Sequence, residues 1–199
     1  MIELKKPGTI QGAVQVANAA GLSPIFAFTL VSNSPQAPAF QSAEFYDTST
    51  NARFTQQSVC EFNGVPVVAY NSFATPIASG ELLIAYGRNS MPTSAGDWES
   101  HSISTAALYI GVLRALGDRL AIAATTGGTE TQVLTAQVAR PTAPLDWLLS
   151  LHVDSASGVY VGHDFDLAQI DGNPALVYPI SNTDPAPNPK QYLVYRAAL

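Results

Sequence analysis

Cysteine is almost absent. Cys60 stands alone in 199 residues, which excludes an intrachain disulfide and a cysteine-based zinc site. No basic residue lies near it in sequence to lower its pKa, so it is expected to be a small buried hydrophobe rather than a nucleophile. Charge is also scarce: 12% of residues are charged, the formal net charge is −6, and lysine occurs three times, as Lys5, Lys6 and Lys190. So few cations cannot track a phosphate backbone, and no nucleic-acid partner is expected. No apolar run reaches the roughly 20 residues of a membrane helix, and Met1-Ile2-Glu3-Leu4-Lys5-Lys6-Pro7 lacks the apolar core of a signal segment. The expectation is a soluble chain with no membrane insertion, whose leader, if it is exported, has been removed or lies outside this sequence. No nucleophile elbow, phosphate loop or dinucleotide fingerprint occurs, and no cofactor is expected.

What is present is a phrase written twice. Phe62-Asn63-Gly64-Val65-Pro66-Val67-Val68-Ala69-Tyr70 returns as Ile170-Asp171-Gly172-Asn173-Pro174-Ala175-Leu176-Val177-Tyr178. Asn-Gly and Asp-Gly tolerate positive φ and mark tight hairpins, and the prolines then open a strand where a missing N–H costs least. Each phrase runs on through a polar, proline-containing stretch to a second apolar run, Leu82–Arg88 and Tyr192–Arg196. Apolar runs of about six to ten residues, rich in Val, Ile, Tyr and Phe and punctuated by Gly, Pro and Asn, read as strands. Ala106–Leu116 has helix-forming Ala and Leu, but Tyr109, Ile110, Val112 and the repeat phase make it a strand.

Four units follow at a period of roughly 50 residues, in the range of propeller blades: approximately 12–56, 57–105, 106–153 and 154–199 plus 1–11. Unit two reads Gln57–Phe62, Val65–Phe73, Glu81–Arg88 and Asp97–Ser104. Unit three reads Ile110–Leu116, Arg119–Thr125, Thr131–Ala139 and Asp146–Val153, and both last strands open on Asp-Trp. Unit four reads Phe165–Ile170, Pro174–Ile180 and Gln191–Ala197. Unit one reads Ala13–Ala17, Ile25–Ser32, Gln41–Thr48 and a shortened last strand near Arg53–Gln56. A spare strand, Leu4–Ile10, faces a vacancy in unit four. The predicted fold is therefore a single all-β, propeller-like array of four blades of three to four antiparallel strands, closed by pairing of the termini. Lys5, Lys6 and Pro7 suit the edge this implies. A monomer is favoured, and a homodimer of half-rings is the rival.

The run Val161-Gly162-His163-Asp164-Phe165-Asp166-Leu167-Ala168-Gln169-Ile170-Asp171-Gly172-Asn173-Pro174-Ala175-Leu176-Val177-Tyr178 resembles repeats of large bacterial exported β-propeller-like proteins, which read V-G-x-x-x-S-L-A-x-V-x-G-x-P-A-I-x-Y, then L-x-Y-x-R-A and later W. The resemblance covers units two to four. Asp166 replaces the usual Ser, and unit three has Gly117-Asp118-Arg119 in place of Gly-x-Pro. It implies a propeller scaffold and an extracellular setting, with no activity attached.

Binding concentrates on scaffolded loops. The proline-rich Ser32–Phe40, Ser72–Gly80 and Ser181–Lys190 share one face with Ser104–Tyr109 and Asp154–Asp164. The last of these carries carboxylates, a phenol and an imidazole, so Tyr109, Asp154, Tyr160, His163 and Asp164 are the candidate ligand-binding residues. Asp164, Asp166 and Asp171 lack the ligand cadence of a compact calcium loop, and no metal site is expected. Trp98 and Trp147 are expected to cover packing between blades, and His101 and His152 to face solvent. A sialidase-type site would need converging arginines, but Arg53, Arg88, Arg114, Arg119, Arg140 and Arg196 sit mostly at strand ends. The leading expectation is a non-catalytic scaffold for protein interaction or surface structure. A lectin-like module for a glycan or small ligand is the alternative, and a glycoside hydrolase comes third.

Overall fold

The computed structural model describes residues 10–15, 25–32, 39–45, 53–73, 80–104, 109–125, 130–154, 159–161, 165–182 and 191–197. They form four antiparallel sheets. The first is β1 (Ile10–Gln15), β2 (Ile25–Ser32) and β3 (Ala39–Phe45). The second is β4 (Arg53–Phe62), β5 (Val65–Phe73), β6 (Gly80–Gly87) and β7 (Trp98–Ser104). The third is β8 (Tyr109–Leu116), β9 (Arg119–Thr125), β10 (Glu130–Ala136) and β11 (Trp147–Asp154). In the fourth, β12 (Val159–Val161) and β13 (Asp166–Ile170) share one side of β14 (Asn173–Asn182), and β15 (Gln191–Ala197) takes the other. Among the described residues the only helical pieces are two single 3-10 turns, Ala95–Asp97 and Pro144–Asp146.

The hairpins follow from their turn residues. Asn63 and Gly64 have φ of 52° and 76°, and Asp171 and Gly172 of 50° and 83°, the double positive pair of a two-residue hairpin whose twist matches its strands. Pro66 and Pro174 each lie one residue before the ladder on the far side of their strand begins, at Val67 and Ala175, so neither removes a bond from it.

The third sheet is buried on both faces, which explains why Leu120–Thr125 is apolar or small without alternation. Leu113, Leu120, Ile122 and Trp147 pack with Val67, Ile84 and Tyr86 of the second sheet. Val112, Ala121, Ala123 and Val133 pack with Leu167, Leu176 and Tyr178 of the fourth. Leu113, Leu120 and Ile122 are wholly excluded from solvent, and truncating any one to Ala costs about 2–5 kcal/mol. Trp147 thus seals a seam between sheets, as its place in the repeat predicts.

Several boundaries differ from expectation. Arg53–Gln56 is the start of β4, not a last strand of unit one, and the first sheet shows three strands among the described residues. Asp97 and Asp146 close 3-10 turns instead of opening strands, because each carboxylate is engaged with its own loop. Asp97 Oδ2 accepts the amides of Thr93 and Ser94 at 2.9 and 3.0 Å, and Asp146 Oδ2 those of Thr142 and Ala143 at 2.8 and 3.0 Å. The shared motif is therefore Pro-Thr-x-x-x-Asp-Trp. Ile10 belongs to β1, paired with Thr29, so a spare strand cannot run through to Ile10. Residues 1–9 lie outside the described residues. Val159–Val161, expected within a loop, is strand β12. No described sheet closes on another, so the closed four-blade ring is not part of the observed fold.

Candidate functional site

β1, β4 and β8 occupy equivalent places, each the first strand of its sheet, and each of the three carries a bulge. Ile10 pairs with Thr29 and Gly12 with Phe28, leaving Gln11 extra. Thr55 and Gln56 lie opposite Asn71 alone, between the pairs Phe54 with Ser72 and Gln57 with Tyr70. Gly111 is extra between Ile110 with Ala124 and Val112 with Ala123. In the fourth sheet, Val161 of β12 pairs with Ile180 and Asp166 of β13 with Val177. An extra residue bends a strand and re-aims side chains, and such bulges recur beside active sites.

The chain fastens neighbouring sheets beside these bulges. Asn71, fully buried opposite the second bulge, accepts the Ile110 amide at 2.8 Å, just before the third bulge. Ser58 Oγ accepts the Leu113 amide at 2.9 Å. Both donors lie on β8, an edge strand of its sheet, whose outward amides need partners from the neighbouring sheet, which accounts for polar residues in an apolar seam. At the third bulge, a Cβ on Gly111 would fall on the Phe165 ring. Phe165 in turn packs on Tyr178, with ring centroids 6.4 Å apart. Thr125 and Thr131, cross-strand partners at the same end of the third sheet, are fully buried.

The opposite end carries structural polar contacts. Tyr86 donates its hydroxyl to the Pro141 carbonyl at 2.8 Å. Arg140 lies 4.8 Å from the Tyr86 ring centroid and reaches Glu99 at 2.8 Å. His101 Nε2 is 3.1 Å from Glu99, with its side chain 21% exposed, so it packs into this clamp rather than facing solvent as expected. Arg114 meets Asp166 at 3.3 Å, tying β8 to β13. The Cys60 thiol is pushed up to about 12 by burial, Arg114 offsetting only part of the effect, so it is unreactive at neutral pH.

Tyr109 opens β8 opposite Thr125 and Tyr160 lies in β12 opposite Ser181, so both sit on first strands of neighbouring sheets at the bulged end. Asp154 ends β11 opposite Glu130. Two strands separate β11 from β8, about 14 Å at ordinary strand spacing. His163 and Asp164 lie outside the described residues. Asp171 is in the turn at the far end of β13 from Asp164. His152 pairs with Gln132 in the ladder. Among the described residues no group of three potential metal ligands occurs. Sequence reasoning missed the bulges, and the available signal was an isolated glycine inside a strand pattern, Gly12 and Gly111.

No protein-family model matches the chain, and no curated protein matches it. Among solved structures it is similar to a mutant of the α-L-arabinanase of Cellvibrio cellulosa, with a TM-score of 0.53 and 15% identity over 87% of this chain and 64% of that one. This chain therefore spans less than two thirds of that enzyme. A β-fructofuranosidase of Bombyx mori, of glycoside hydrolase family 32, matches at a TM-score of 0.49 and 12% identity over 94% of this chain and 44% of that one. The shared fold is a propeller-like all-β one. The expected non-catalytic scaffold is corrected by the first of these matches, a fold likeness to a glycoside hydrolase.

Proposed function

We propose that this chain is a propeller-type glycoside hydrolase acting on an arabinan-like glycan, bound where the first strands bulge. What supports this reading is the bulge shared by the first strands of three sheets in a fold similar to that of an α-L-arabinanase. Cleavage of a glycosidic bond takes two carboxylates, one to protonate the departing oxygen and one to activate water or attack the anomeric carbon. Asp164, two residues before β13 in sequence, and Asp154, at the end of β11, take these roles. His163 hydrogen-bonds the sugar, and Tyr109 and Tyr160 offer it ring faces.

Release of reducing ends from linear arabinan tests the proposal. Asp164→Asn and Asp154→Asn should each lower the rate at least about 100-fold, the usual scale of general acid–base catalysis. An unmodified chain that neither releases reducing ends nor binds arabino-oligosaccharides by calorimetry overturns it. The same proposal has the sheets close into a ring within one chain, with residues before β1 pairing the free edge of β15. A one-chain mass by light scattering is expected, and twice that mass favours half-rings from two chains.

A further inference from the structure

We infer that Asn71 is a positioning residue for Tyr109: from the second sheet it fixes where the first strand of the third sheet begins. The inference rests on the site proposed above, which gives Tyr109 its contact with the sugar. β8 is an edge of its sheet, so along a regular stretch every second amide points away from β9. Leu113 and Ala115 keep that spacing. The Leu113 amide goes to Ser58 Oγ at 2.9 Å, and the Ala115 amide to the Cys60 sulfur. The next outward amide would be that of Gly111, but Gly111 is the extra residue between the pairs Ile110 with Ala124 and Val112 with Ala123. The alternation slips by one, and the Ile110 amide takes the outward place. Asn71 Oδ1 meets it at 2.8 Å.

Two outward amides an odd number of residues apart occur only across a bulge, so Ser58 and Asn71 clasp this one from either side. Asn71 holds the side that leads to Tyr109, whose backbone pairs with Thr125 at the first register position of β8. Asn71 is wholly excluded from solvent, and a carboxamide is kept in an apolar seam where its hydrogen bonds are made. Counted from the hairpin turns, the same place holds Thr125 in the third unit and Pro179 in the fourth, neither of which carries an amide oxygen. This grip on a neighbour's first strand therefore belongs to the second sheet and is spent on the strand that Tyr109 opens.

The test uses the full chain labelled with 3-fluorotyrosine, the Tyr109 fluorine resonance being assigned by its loss in Tyr109→Phe, together with amide hydrogen exchange. In Asn71→Leu, which keeps the shape and removes the acceptor, the Ile110 amide should exchange at least about tenfold faster and the Tyr109 resonance should shift or broaden, while the Leu113 amide stays within about twofold. Ser58→Ala should do the reverse, freeing Leu113 and leaving Ile110 and the Tyr109 resonance as they were. Asn71→Asp offers an oxygen at the same place in either protonation state and should retain both the Ile110 protection and the resonance. If Asn71→Leu does not fold, Asn71→Thr, whose oxygen stands one bond shorter and whose residue type the third unit buries at Thr125, carries the same expectations. An unmoved Tyr109 resonance on loss of the acceptor overturns the inference. An equal response to Asn71→Leu and Ser58→Ala also overturns it, since Asn71 would then be one seam contact among several. If the unmodified chain binds arabino-oligosaccharide, Asn71→Leu should weaken that binding at least about fivefold and Ser58→Ala by less than about twofold. Failure of the unmodified chain to bind overturns the proposed function, while the exchange rates and the Tyr109 resonance still decide what Asn71 holds.

Discussion

The Tyr86 hydroxyl reaches the Pro141 carbonyl 2.8 Å away across 55 residues of sequence, tying the third strand of the second sheet to the last loop of the third. Removing the hydroxyl leaves a buried carbonyl unpaired, which costs about 1–3 kcal/mol. Tyr86→Phe should lower stability by that amount in urea unfolding. Burial pushes the phenol well above its ordinary value, with Arg140 pulling it partly back. The folded chain therefore holds this proton more tightly than the unfolded one. The contribution is complete below about pH 10, the unfolded value, and is lost as pH rises further. Tyr86→Phe should show a smaller alkaline loss than the unmodified chain.

Asp97 behaves in the opposite sense. Its carboxyl is held below the ordinary range by the Thr93 amide, then by the hydroxyl and amide of Ser94. Its contribution is present above the unfolded value of about 3.9 and is lost as pH falls through the lower folded value. Asp97→Asn should lower the urea midpoint at pH 7 and flatten its fall below about pH 4.

Gly64 and Gly172 separate backbone strain from crowding. Both have positive φ, and a Cβ at either meets nothing within 4 Å, so Gly64→Ala and Gly172→Ala should each cost about 1–2 kcal/mol from conformation alone. Gly87 is the counterpart. Its φ is unremarkable, yet a Cβ would sit 2.8 Å from the Pro66 ring and 2.9 Å from the Asn89 carbonyl. Gly87→Ala in Pro66→Ala should therefore cost less than Gly87→Ala in the unmodified chain, a coupling that a double-mutant cycle reads directly.

Cys60 should resist alkylation. With its thiol near 12, iodoacetamide at pH 8 should modify it slowly in the native chain and quickly in urea, and equal rates would show that the seam around it is open.

Strand identity was legible wherever short-range chemistry decides it. Asn63-Gly64 and Asp171-Gly172 announce their hairpins, and Val65–Phe73, Arg119–Thr125 and Gln191–Ala197 form strands with the expected bounds. Bulges were not legible, because they depend on pairing with a strand elsewhere in the chain. Gly111 in sequence is one glycine among apolar residues, and only the Phe165 ring, 54 residues on, shows why it is required. His101 was misread for a related reason: its place a few residues after Asp-Trp on a last strand said surface, while Tyr86 and Glu99, both engaged by Arg140 from the next sheet, take it in. Tyr109 and Tyr160 fell at the bulged end because strand order alone sends every second connection there.

The repeats match in their loops and differ at their clamps. Where the second sheet presents Tyr86, Glu99 and His101, the third presents Thr135, Leu148 and Ser150 at the same places, and there Thr135 and Ser150 satisfy each other at 2.7 Å while Leu148 stands 55% exposed. Arg140 consequently has one correct address. Duplicating the third unit would set the second copy's guanidinium against Leu148, and duplicating the second would leave one Glu99 unanswered. The units are thus close enough in outline to have arisen by copying, yet each junction now recognises one neighbour, which guards the order of the sheets against recombination and against mispairing as the chain folds.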